Sequence, residues 1–232
     1  MKPAQLTFYF LFLFILIADI MLMLTHADQY RYFTKPLLVP MLLLSLILGT
    51  PKSKHAKSKM LIILALIFCF MGDLLLLFEQ YDIIYFQLGL AAFLIGHVFY
   101  IIFFTRIKPF AKETALFTFL CGIGILAYII FILVMLWRTL AKEQLELPVA
   151  LYAFTIGLLL LSTLNLLTNR RMRNISWSYF IPGAAFFVLS DSILAWNKFY
   201  SIVSHANVLI IITYAIAQFL LVAGASRFLK KA

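Results

Sequence analysis

Residues 60–78 read MLIILALIFCFMGDLLLLF, nineteen positions of which one, Asp73, is charged. The hydrocarbon core of a bilayer is about 30 Å thick and is crossed by about 20 apolar residues of α-helix. This stretch is therefore a transmembrane helix, and its aspartate lies within the membrane. Working outward in both directions, the same pattern recurs. Eight helices are expected, over Leu6–Leu24, Pro36–Leu48, Met60–Phe78, Ile83–Phe104, Thr114–Trp137, Pro148–Leu167, Ser176–Trp196 and His205–Ser226. The second is short and crosses only if Tyr32 to Lys35 extends it or the bilayer thins locally. Lys2 before the first apolar run and Thr25-His26-Ala27 after it imitate a signal peptide, but the run's length and its embedded Asp19 argue for a retained span. The expected fold is all-α, an eight-helix transmembrane bundle forming a single integral membrane domain over residues 1–232, with no soluble domain left over.

Composition agrees. The chain of 232 residues is 65% hydrophobic and 12% charged, against about 25% charged in a soluble domain. Its net charge of +10 comes from short basic clusters between apolar runs, which is the pattern of membrane topology and not of nucleic-acid binding. With eight spans both termini share a side. That side collects Lys2, Lys52, Lys54, Lys57, Lys59, Arg106, Lys108 and Lys112, then Arg170, Arg171, Arg173, Arg227, Lys230 and Lys231. The other side holds only Arg31, Lys35, Arg138, Lys142 and Lys198. Positive charge stays inside, so both termini are expected in the cytoplasm. A single-membrane bacterium, a bacterial inner membrane and an endoplasmic reticulum all suit this pattern; a bacterial cytoplasmic (inner) membrane is the expectation.

Of the nine acids, Asp28, Glu79, Asp82, Glu143 and Glu146 fall in outer loops and Glu113 in an inner one, which leaves Asp19, Asp73 and Asp191 inside spans. An ionisable group there costs at least about 2.5 kcal/mol on insertion scales, so each is a functional candidate. All three lie about three quarters of the way along outward-running helices, at a height where they can line one cavity. The alternative, an interhelical hydrogen bond, stands level with function for Asp19, which has no polar neighbour. It is weaker for Asp73 and Asp191, where Gly72 and Ser190 leave room for another group. Gly89, Phe93, Gly96, His97 and Tyr100 share one face of the fourth helix, and Asn207, Tyr214 and Gln218 one face of the eighth. Such stripes face protein or water. His97 alone reads equally as a hydrogen-bonded core residue. Lys35, at the outer mouth of the second helix, either snorkels to the interface or serves the acids as counter-ion.

Other chemistries find little support. Cys69 and Cys121 sit in separate apolar runs, which excludes a disulfide framework. The histidines, His26, His55, His97 and His205, include no ligand pair at helical spacing, so no metal site is expected, and no cofactor either. Walker, dinucleotide and serine-elbow motifs are absent. The segments FMGDLLL at 70–76 and VLSDSIL at 188–194 share a small-Asp-x-apolar-Leu pattern 118 residues apart. That offset lays helices one to four over five to eight, a candidate 4+4 parallel repeat.

Lys35-Pro36-Leu37, Gly72-Asp73-x-Leu75-Leu76, Gly96-His97-x-x-Tyr100, Gly183-Ala184-x-x-Phe187-x-x-Ser190-Asp191 and Tyr214-x-x-x-Gln218, in this order over residues 32 to 222, resemble the lysoplasmalogenase family of eight-span membrane proteins. The resemblance implies hydrolysis of the vinyl ether bond of lysoplasmalogens to a fatty aldehyde and a glycerophospho-ethanolamine or glycerophospho-choline. The catalytic pair would be Asp73 and Asp191. Lys35, Tyr100, His97, Tyr214 and Gln218 would position substrate or water. Asp19 matches no landmark and stands as a candidate additional acid. The expected partners are a lysophospholipid substrate and membrane lipid.

Paired carboxyls suit that reaction. The slow step protonates the alkene carbon remote from oxygen, and water then captures the oxocarbenium ion. Desolvation and a second nearby carboxylate both favour the neutral form of a carboxyl, which supplies an acid at neutral pH. The remaining carboxylate stabilises the cation and orients water, as in glycosidases. Asp191 is expected to be the acid and Asp73 the stabiliser and base, acting on a lipid that enters laterally. The alternative reading is a proton-coupled transporter of a small molecule or lipid that uses the same aspartates; a third is a non-catalytic protein whose aspartates only join helices.

Overall fold

The computed structural model describes residues 3–51, 54–112 and 115–230, without the side chain of Asp28. Lys2, Lys52, Glu113 and Lys231, which enter the charge count, and Thr114, the expected start of the fifth helix, lie outside the described residues. Among the described residues the structure is all-helical, at 87% helix, and eight helices are long and apolar enough to cross a membrane. They are α1 Pro3–Leu24, α2 Arg31–Gly49, α3 Ala56–Leu76, α4 Ile83–Ile107, α5 Ala115–Glu143, α6 Glu146–Thr168, α7 Arg173–Phe199 and α8 Ala206–Lys230. We call the end bearing the α1–α2, α3–α4, α5–α6 and α7–α8 connections the loop end, and the other the terminal end.

All eight expected helices are present, and their limits differ where helix formation outruns hydrophobicity. The fifth ends at Glu143 and not at Trp137, because Leu136 and Leu140 continue the buried stripe while Arg138 and Lys142 stay exposed. The eighth reaches Lys230, with Arg227 and Lys230 in its last turn, where cations complement the helix dipole. The second gains the extension it requires. It opens with a turn at Arg31–Thr34, tightens to a 3-10 turn over Lys35–Leu37 and continues as α-helix over Leu38–Gly49. Pro36 and Pro40 supply no amide hydrogen to the regular ladder, and Pro36 sits within the tight turn. In α7 a π-helical turn spans Ser176–Phe180. Pro182 follows it; in a regular α-helix its ring would meet the carbonyl of Ser178 four residues back.

Small residues set the tightest contacts. A Cβ on Gly72 would lie 2.5 Å from the Phe93 ring, and one on Gly96 3.1 Å from the Ala65 carbonyl oxygen, so α3 and α4 pack at the distance only glycine permits. Gly183 does the same between α7 and the backbone of Leu221 on α8. Among the connections, Asp82 caps α4, accepting a hydrogen bond from the Ile84 amide at 2.9 Å.

The two halves correspond. Helices α1 and α2 pair, as do α3 and α4, and α5–α6 and α7–α8 repeat the arrangement; α2 then meets α8 as α6 meets α4. Helix α1 closes through His26 in the left-handed region (φ 55°), with the Ala27 amide donating to the Leu22 carbonyl, and α5 closes through Gln144 (φ 56°), with Leu145 donating to Leu140. Each member of one turn is 118 residues from its counterpart, the offset between Asp73 and Asp191.

Candidate functional site

A cavity of ≈ 840 Å³ opens at the loop end and penetrates between the helices, within the range of small-molecule sites. Its mouth carries Gln29, Arg31, Tyr32, Glu79 and Gln80; its walls are apolar, with Leu76, Phe86, Leu90, Ile129 and Leu133; and among these walls stand Asp73, Asp191 and Tyr214. The mouth is braced by Lys198 of α7, which donates to Glu79 at 2.7 Å and lies 4.4 Å over the Phe86 ring.

Each of the two carboxyls accepts a tyrosine hydroxyl from a different helix. Tyr214 of α8 donates to Asp73 Oδ2 at 2.7 Å, and Tyr152 of α6 donates to Asp191 Oδ2 at 2.6 Å. Asp73 is 3% exposed, Tyr214 6% and Tyr152 7%, while Asp191 is half-buried; away from bulk water, hydrogen bonds to charged groups strengthen. Lys35 lines the same cavity. Asp73, Asp191 and Tyr152 all line that one cavity, which places both aspartates around one chamber.

A polar chain stands behind Asp73. The Tyr100 hydroxyl donates to Gln218 Oε1 at 2.9 Å, and the Gln218 amide reaches the Tyr214 oxygen at 3.4 Å. Tyr100 and Gln218 do not line the cavity; they hold Tyr214. His97 also lies behind the wall. It is fully buried, packed edge-on against Phe187 at 4.5 Å between ring centres and near Tyr152 at 5.4 Å. Neither of its nitrogens has a hydrogen-bond partner among the described residues.

Asp19 is held elsewhere. It is fully buried, accepts the Thr34 hydroxyl at 2.5 Å and lies 3.5 Å from the Arg31 guanidinium. It does not line the cavity. Its visible work is to tie α1 to the first turns of α2, the turns that carry Arg31 and Lys35 to the mouth. The three aspartates thus divide into a pair in the chamber and one in an anchor.

Of the residues expected from sequence, Asp73, Asp191, Lys35 and Tyr214 come together at the cavity, and Tyr100, Gln218 and His97 support it from behind. Tyr152 was not among them. A signal was available, since a lone tyrosine within an apolar span needs a partner for its hydroxyl. Tyr128 of α5 was missed as well; its hydroxyl bonds to Ser192 Oγ at 2.8 Å, next to Asp191. Among the described residues no three His, Cys, Asp or Glu side chains gather as a metal site.

Fold and site together define an integral multi-pass membrane protein built around a two-carboxyl chamber. The YhhN family model matches residues 30–225, most of the chain, and the protein belongs to that family, which includes lysoplasmalogenases. No curated protein and no solved structure matches the chain.

Proposed function

We propose that the protein is a membrane hydrolase that cleaves the vinyl ether bond of lysoplasmalogens, lysoplasmenyl-ethanolamine or lysoplasmenyl-choline, to a fatty aldehyde and the glycerophospho-base. The observation that carries this reading is the pair of carboxyls, each held by a tyrosine hydroxyl, lining one cavity with a polar mouth and apolar walls. Family membership supports it.

In the reaction a carboxylic acid donates its proton to the alkene carbon remote from oxygen. The oxocarbenium ion that forms is stabilised by the second carboxylate, which then takes a proton from the attacking water. The resulting hemiacetal collapses, its carbon–oxygen bond to glycerol breaks, and the glycerol oxygen leaves with a proton. Asp191, which faces a tyrosine hydroxyl, takes the role of acid. Asp73, which lines the same cavity as Lys35 and accepts the Tyr214 hydroxyl, takes the role of carboxylate. Preorganised groups of this kind act by stabilising charge as it develops. Arg31 and Lys35 line the path from the mouth and suit the phosphate of the head group. This reading puts the loop end at the outer face of a bacterial cytoplasmic membrane and both termini inside, following the charge bias.

The test is aldehyde release from lysoplasmenyl-ethanolamine by purified protein, with a chelator present, alongside Asp73→Asn and Asp191→Asn. Wild type releases aldehyde, and each variant loses about a hundredfold or more, the scale of a group acting in proton transfer. A folded variant that keeps more than a tenth of the rate would sink the paired-carboxyl mechanism. No aldehyde from folded wild type, together with uptake driven by a pH gradient in proteoliposomes, would replace hydrolysis with transport.

A further inference from the structure

The chamber is not closed on all sides. On α3 its lining stops at Asp73, whereas on α5 it continues past Tyr128 to Gly124, about a third of the way along that helix from its terminal-end start. One flank of α5 is sealed by α6, where a Cβ on Gly157 would lie 2.6 Å from Ile129 and 2.9 Å from Ile125. The opposite flank meets α7 through the Tyr128–Ser192 hydrogen bond. One turn further toward the terminal end, on the same flank by the i, i+4 rule, Gly124 is exposed. Beyond its own helix, no atom comes within 4 Å of the position a Cβ would take there. The seam between α5 and α7 is thus latched beside Asp191 and open just below it, at a depth where the surroundings are hydrocarbon.

We propose that this seam is the lateral portal through which the alkyl chain of a single-chain lipid passes between the carboxyl chamber and the bilayer. The head group sits at the polar mouth of the loop end, the bond to be cleaved lies between Asp73 and Asp191, and the chain runs beneath Tyr128 and Ser192 and out past Gly124. The proposal rests on the chamber acting on a lipid of this kind, and it assigns to Gly124 the selection of chain length.

The experiment uses the full chain in nanodiscs, as wild type, Gly124→Trp and, as a matched bulky control on the bilayer face of the same region, Ala127→Trp. Two probes are read. The first is the ratio of kcat/KM for octadecenyl over butenyl lysoplasmenyl-ethanolamine. The second is the thermal stabilisation given by saturated alkyl-ether lysolipids of the same two chain lengths, which contain no cleavable vinyl ether. Gly124→Trp is expected to lower the ratio by at least about tenfold, the scale of a hydrophobic pocket's discrimination, and to abolish the extra stabilisation by the long chain; Ala127→Trp is expected to match wild type in both. Equal ratios and equal stabilisation in wild type and Gly124→Trp would overturn the portal while leaving the hydrolase standing. If wild type cleaves neither substrate, the hydrolase reading fails and the stabilisation decides the portal alone. Absence of long-chain stabilisation in wild type overturns it.

Discussion

Replacing Tyr152 by phenylalanine removes one oxygen atom and with it the 2.6 Å hydrogen bond to Asp191. That length falls in the range of charge-assisted O–H···O contacts, which are roughly twice as strong as neutral ones. Hydrogen bonds to charged groups contribute about 1.5–3 kcal/mol net. Expressed in the transition state, such a loss slows turnover by about tenfold to a hundredfold, since each 1.36 kcal/mol is a factor of ten. The ring itself stays, so its packing beside His97 is retained and folding is little affected. The assay is aldehyde release under single-turnover conditions for wild type, Tyr152→Phe, Asp191→Asn and the double variant. If the hydroxyl acts through Asp191, the double variant is no slower than Asp191→Asn alone, because the two changes remove the same interaction. A Tyr152→Phe enzyme with more than half the wild-type rate, or full additivity in the double variant, would refute the assignment of Tyr152 to the site.

Three further outcomes are expected. Lys35→Gln raises KM for lysoplasmenyl-ethanolamine by about tenfold, from the 1.5–3 kcal/mol of a charged hydrogen bond, and leaves KM unchanged for an alkenyl glycerol without phosphate; equal effects on both substrates would remove Lys35 from head-group binding. Asp19→Asn weakens the anchor to Thr34 and Arg31 and lowers stability by about 1–3 kcal/mol, read as a fall in Tm, while turnover below the melting range stays within about threefold, less than 1 kcal/mol in barrier. A hundredfold loss of turnover in a folded Asp19→Asn protein would instead place that carboxyl in the chemistry. Gly72→Ala forces a methyl to 2.5 Å from Phe93, whose ring lines the chamber between Phe187 and Tyr214; overpacking of this kind costs about 1–3 kcal/mol, so Tm and turnover fall together, and an unchanged Tm would contradict the packing.

The amino-acid sequence by itself determined the number of helices, the shortness of the second and the three carboxyls lodged within spans. The reason is that hydrocarbon charges each residue separately: twenty apolar positions or one embedded aspartate carry their meaning without knowledge of any neighbour. Helix ends were less legible, as at Glu143 and Lys230, because hydrogen bonds along the backbone continue an amphipathic turn after hydrophobicity stops. The 118-residue offset between the aspartate motifs was visible in sequence, and the matching turns at His26 and Gln144 extend it to the backbone. What only the tertiary structure decided is which of three acids at similar depth share a chamber. Depth along a helix is a one-dimensional property, but lateral position depends on how α1, α3 and α7 pack against five other helices. That packing sends Asp19 to Thr34 and Arg31 and turns Asp73 and Asp191 toward one cavity. It also supplies Tyr152 and Tyr214 from helices 39 and 141 residues away in sequence, pairings that no local pattern of residues encodes.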